Sequence, residues 1–94
     1  MTLTHARLTA GTVAIGLNHV ESDGSPGQSL LVQNGGTATV YLGGMNTYGT
    51  VTASSFGNAL AAGGEVSFDL AAGEYLYAIT AAVSVPVNVV YTGI

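Results

Sequence analysis

The chain has 94 residues, 48% of them hydrophobic and only 6% charged, with one basic residue, Arg7, and a net charge of −4. A single cation all but excludes nucleic-acid binding, which needs several contacts to phosphate, and gives anionic membranes nothing to attract. Cysteine is absent, which excludes disulfides and thiolate metal sites.

The length suits one domain over residues 1–94, near the size where burial becomes marginal. Soluble domains usually carry about 25% charged residues. With so few here, the outside must be Thr, Ser, Asn, Gly and Ala, or be buried against partners, which favours an assembled protein. The hydrophobic content argues against disorder. The opening MTLTHARLTAG lacks the basic-then-apolar order of a signal peptide, and no apolar run approaches the ~20 residues of a membrane helix.

In chain order, Thr2–Leu8 reads as a short strand or, with the rest of residues 1–10, as an ordered arm. Leu8, Val13, Ile15 and Leu17 are expected to face inward, with Gly11 marking a bend. Asn18–Gln28 reads as a polar loop, solvent-facing or against a neighbour.

Ser29–Gly44 reads as a β-hairpin, SLLVQNGGTATVYLGG. Setting Val32 opposite Val40 and Leu30 opposite Leu42 puts these residues and Ala38 on one face. Gly35, Gly36 and Thr37 are left as the loop, with glycine for a positive φ. After it come Tyr48, a weak strand over Thr50–Ser55 with Val51 and Ala53 on one side, and Phe56; Asn58–Gly64 allows one helical turn. Glu65–Leu70 and Glu74–Thr80 are expected to form a second hairpin, pairing Leu70 with Tyr75, Phe68 with Tyr77 and Val66 with Ile79 around an Ala72-Gly73 turn. Val83–Tyr91 alternates Val85, Val87, Val89 and Tyr91 against polar neighbours, and Pro86 predicts a sheet edge or bulge there. About seven short strands and no helix point to an all-β fold, an antiparallel β-sandwich or small barrel.

Chemistry-bearing residues are few. Glu65 and Asp69 lie four apart on one strand face, roughly 13 Å between Cα atoms; a glycosidase needs its carboxyls about 5–9.5 Å apart across a cleft. His19 has Glu21 and Asp23 nearby, but this loop lacks the spacing of a calcium site. No serine sits in a nucleophile elbow, and the glycine pairs lead into no helix and no lysine. No enzymatic activity, metal or other cofactor is expected. Tyr75, Tyr77 and Tyr91 read as core or subunit-contact residues. Tyr41 points away from the buried face of the hairpin and Tyr48 falls in a loop, so these two are the expected interface anchors, with Phe56 beside them.

Two blocks, LLVQNGGTATVYLGG and LAAGGEVSFDLAAGEYLYAIT, resemble a recurrent module of tailed-bacteriophage virion proteins over roughly residues 28–80. That module is found in small capsid decoration proteins, head fibres and tail proteins. This chain departs from it at Gly64, which lengthens the usual Ala-Gly-Glu, and in lacking a proline between the blocks. The resemblance implies a capsid decoration (cement) protein, assembled in the host cytoplasm onto the virion surface, with the major capsid protein and copies of itself as partners, as a homotrimer. The expected contacts are Tyr41, Tyr48 and Phe56, the arm residues Leu3, His5 and Arg7, and the loop residues His19, Glu21 and Asp23. The alternatives are a tail, baseplate or head-fibre component, and a carbohydrate-binding adhesion module.

Overall fold

Val85–Thr92 is the strand around which the fold closes. Val85, Val87, Val89 and Tyr91 are buried, and each intervening residue is half-exposed, as the period of two demands. The computed structural model describes residues 3–44, 52 and 56–92 and places eight strands among them. In chain order these are β1 (Leu3–Ala10), β2 (Ile15–Gly16), β3 (Gln28–Asn34), β4 (Val40–Gly43), β5 (Asn58–Leu60), β6 (Glu65–Leu70), β7 (Tyr77–Ile79) and β8 (Val85–Thr92).

They form two four-stranded antiparallel sheets, sheet A in the order β1-β8-β3-β6 and sheet B in the order β2-β7-β4-β5. Those two orders define a jelly roll. The pairs β1·β8, β2·β7, β3·β6 and β4·β5 make one long antiparallel ribbon, which wraps until β8 meets β3 and β7 meets β4. The core lies between the sheets. Leu30, Val32, Val85, Val87 and Val89 come from sheet A, and Val40, Leu42, Leu60 and Ala78 from sheet B. Leu17 and Leu76 close one end.

This wrapping overturns both expected hairpins. The inward set Leu30, Val32, Val40 and Leu42 is buried as expected, but β3 pairs with β6 and β8 while β4 pairs with β5 and β7. Val32 and Val40 therefore face the core from opposite sheets, and residues 35–39 form an arch between the sheets. Gly35 and Gly36 lack positive φ; among the described residues that conformation belongs to Gly24, Gly63 and Gly73. Gly36 is needed for space, since a Cβ there would lie 2.7 Å from Val85 Cγ1.

Residues 71–76 are likewise an arch from sheet A to sheet B. The expected Gly73 does take φ 85°, and Glu74 N–H donates to the Ala71 carbonyl. The phase beyond it shifts by one residue: Leu76 and Ala78 are buried, Tyr75 is exposed and Tyr77 half-exposed. Val13, expected inward, is 76% exposed in the β1–β2 connection.

Leu3–Ala10 is a full edge strand paired with β8 along eight rungs; as far as it is described, the possible arm belongs to the sheet. Asn58–Leu60 pairs with β4 instead of making a helical turn. Pro86 lies in a central strand, neither at an edge nor at a bulge. It is tolerated because β3 ends at Asn34, opposite Val87, and the last bond is donated by Gly35 N–H to the Pro86 carbonyl. The strand expected over Thr50–Ser55, Thr52 apart, lies outside the described residues, as does Tyr48.

Candidate functional site

Among the described residues, the expected contacts occupy three separate places. Tyr41 is on β4, half-buried on the outer face of sheet B, its ring centroid 4.7 Å from that of Phe56, which is 44% exposed. His5 and Arg7 are exposed on β1, the edge of sheet A, and Leu3 begins that strand. His19, Glu21 and Asp23 belong to the β2–β3 connection.

That connection is held by buried amides. Asn18 donates to Ser25 Oγ at 2.9 Å and accepts from Leu76 N–H. Gln28 exchanges bonds with both backbone groups of His19 at 2.9 Å, and Ser25 donates to the Glu74 carbonyl. Asn18, Ser25 and Gln28 are therefore structural and buried within the fold, where the sequence reads the segment as a polar loop facing solvent or a neighbour. The tip is exposed, where Glu21 and Gly24 bond each other's backbones around Ser22 and Asp23. His19 Nε2 lies 3.8 Å from Glu21 Oε2, a weak surface pair. Among the described residues, no three His, Asp or Glu side chains converge as a metal site would require.

The outer face of sheet B has a consistent chemistry. Register places Gly16, Tyr77 and Gly43 in one row and Ile79, Tyr41 and Ala59 in the next. Tyr75 stacks on Tyr77 with centroids 6.3 Å apart and planes 19° from parallel. The four strands of this sheet, IG, VYLG, NAL and YAI, contain no charged residue. The sequence reads Tyr75 and Tyr77 as core or subunit-contact residues; register puts Tyr77 on this face, and Tyr75, exposed in the arch before β7, stacks on it at the rim of the cleft between the sheets. The signal for it lay in the run Leu76, Tyr77, Ala78, where the two small or aliphatic residues suit the interior and the amphipathic phenol suits a rim.

The outer face of sheet A is ordered by charge. One row runs Arg7, Asn88, Gln33, Glu65, with Asn88 donating to Gln33 Oε1 at 3.4 Å. The next runs His5, Val90, Leu31, Ser67. In the third, Ser29 donates to Asp69 Oδ1 at 2.6 Å. Arg7 has no ion pair among the described residues.

A cleft of 370 Å³ opens between the sheets, bordered by Leu42, Phe68, Leu70, Glu74 and Leu76. Glu74 is its one carboxylate among the described residues, and its Oε1 already accepts from Ala71 N–H at 2.6 Å. Glu65 and Asp69 stand exposed on the outer face, facing no cleft. No family model, curated protein or solved structure matches the chain.

Proposed function

We propose that this protein is a structural component of a tailed-bacteriophage virion, a decoration protein that binds the assembled capsid and stabilises it. The observation that carries the reading is the neutral, aromatic and glycine-rich outer face of sheet B, formed by Tyr41, Tyr77, Gly16, Gly43 and their neighbours. Burying such a face strands no ionised group, whereas a charged face would need compensating partners. Tyrosine contributes a large, rigid contact area with a polar tip. A ligand that binds only the assembled lattice shifts the equilibrium away from disassembly, so the action is mass action without chemistry. The two sequence blocks resembling phage virion modules support the same reading. The jelly roll, a scaffold of viral capsid proteins but also of lectins, is compatible with it as analogy.

The test is uptake by capsid shells that lack the protein. Purified protein should co-sediment with such shells to a fixed stoichiometry and raise their disassembly temperature. Tyr41→Thr and Tyr77→Thr should each weaken uptake while leaving a folded domain. Failure to bind shells at micromolar protein contradicts the reading.

The stacked Tyr75–Tyr77 pair favours one second reading, adhesion to carbohydrate, because a sugar's apolar face stacks on exposed phenol rings. Calcium-independent glycan binding lost in Tyr75→Ala, with no uptake by shells, would select it.

A further inference from the structure

We infer that copies of this chain associate head to tail by joining the β1 edge of one sheet A to the β6 edge of the next, with Arg7 of one copy against Glu65 of its neighbour. Four observations on that sheet carry this, and it stands whether or not the assembly decorates a capsid.

The two sheets differ in their edges. Sheet B ends in strands of two and three residues, β2 and β5, and short strands offer little to pair with. Sheet A ends in β1, eight residues, and β6, six residues, neither containing proline. Among the described residues, each pairs on one side only. Each therefore presents a row of backbone donors and acceptors on its free side.

The directions match. All neighbours in sheet A are antiparallel, so β1 and β6 run in opposite senses, and a following copy in the same orientation sets its β1 antiparallel to β6.

The charges match as well. Arg7, the only Lys or Arg of the chain, is on the β1 edge, and Glu65 and Asp69 are on the β6 edge. Arg7 and Glu65 terminate the same outward row, three inter-strand spacings or roughly 14 Å apart, so they cannot pair within one copy. Continuing the sheet with the rows aligned brings Glu65 directly beside Arg7 of the next copy, at cross-strand distance. The neutral Asn88–Gln33 bond fills the row between them.

The competing self-pairings are disfavoured. Two β6 edges centred on Ser67 would set Glu65 against Asp69, and two β1 edges centred on Arg7 would set the guanidinium groups together. The joint is thus heterologous, and repeated it closes a ring or continues as a filament.

The test is association of the whole chain, by sedimentation velocity from 1 to 200 µM in low salt, compared with Arg7→Glu, Glu65→Arg and the double exchange. The wild type is expected to form oligomers that weaken with added salt. Each single reversal should raise the dissociation constant on the order of tenfold, and the double exchange should recover most of it. Because the natural chain has no cysteine, Arg7→Cys with Glu65→Cys gives a second readout. The two thiols are too distant to join within a copy and should form inter-chain disulfides on oxidation. A wild type monomeric throughout, an oligomer indifferent to both single reversals, or no inter-chain disulfide in the double-cysteine chain overturns the inference.

Discussion

Tyr91, on the central strand of sheet A, donates its hydroxyl proton to the carbonyl of Leu17, just past β2 of sheet B, at 2.7 Å. This buried bond joins residues 74 positions apart and fastens the two sheets at the end where the β2–β3 connection begins. Its removal in Tyr91→Phe keeps the ring and leaves a buried carbonyl unpaired. The expected loss is about 1–3 kcal/mol, or a fall in Tm of about 4–8 °C per kcal/mol, read by thermal melting.

The same phenol gives an alkaline pH dependence. Burial pushes the Tyr91 pKa up from its ordinary value, because the folded environment disfavours the phenolate. Above about pH 10 the unfolded chain releases this proton while the folded one retains it, so stability falls as pH rises there and is unaffected by this group below. Urea titrations from pH 8 to 11 should show a downward slope that is shallower in Tyr91→Phe.

Asn34 is the polar centre of the β3–β4 arch. Its amide donates to the carbonyls of Ala38 and Leu60 at 2.7 and 2.9 Å, and its Oδ1 accepts from Gly36 N–H at 3.0 Å. Asn34→Leu strands the buried Leu60 carbonyl and two partly buried backbone groups, of Gly36 and Ala38, and should cost roughly 2–4 kcal/mol in urea unfolding. Asn34→Asp sets a carboxylate against two carbonyls. It should be destabilising at pH 7 and recover in part as acid protonates the new group.

What the amino-acid pattern could and could not reveal follows from these contacts. Alternation identifies which residues face the core, and it correctly marks Leu30, Val32, Val40, Leu42 and the whole inner face of β8. It says nothing about whether two consecutive strands lie side by side or face each other across the core, because both arrangements bury the same residues. Val32 and Val40 satisfy either. The discriminating feature is Asn34, whose side chain ties the arch to Leu60 of the opposite sheet, a bond invisible to a pattern of apolar residues. Pro86 reads as an edge or bulge signal for a related reason: its tolerance depends on where β3 ends, which is a tertiary fact. The outward-facing tyrosines are half legible in the sequence. Tyr41 was placed outward correctly, whereas Tyr77 needed the phase of Leu76 and Ala78, and Glu65 acquires a relation to Arg7 only through the register of four strands.

Gly36→Ala and Gly11→Ala form a paired test of packing in the arch. A Cβ at Gly36 would lie 2.7 Å from Val85 Cγ1 and 3.0 Å from Pro86 Cδ, so about 1–3 kcal/mol should be lost. At Gly11 a Cβ meets nothing within 4 Å, and alanine should be neutral or stabilise by about 0.4–1 kcal/mol through the unfolded chain. Equal effects at both sites would contradict the packing described between the arch and β8.

Folding should be slow for so small a domain. The β1·β8 pairing joins Leu3 to Thr92, and little of the sheet structure is local. Loop closure must precede most of the stabilising contacts, so refolding in the millisecond to second range is expected, measured by stopped-flow tyrosine fluorescence. Submillisecond refolding would contradict this topology.

Gold-labelled antibody on intact virions tests the proposal that this chain is a virion component docked on the shell. Dense, regular label over the head is the predicted result. Label confined to the tail or its tip, or none on virions at all, contradicts it.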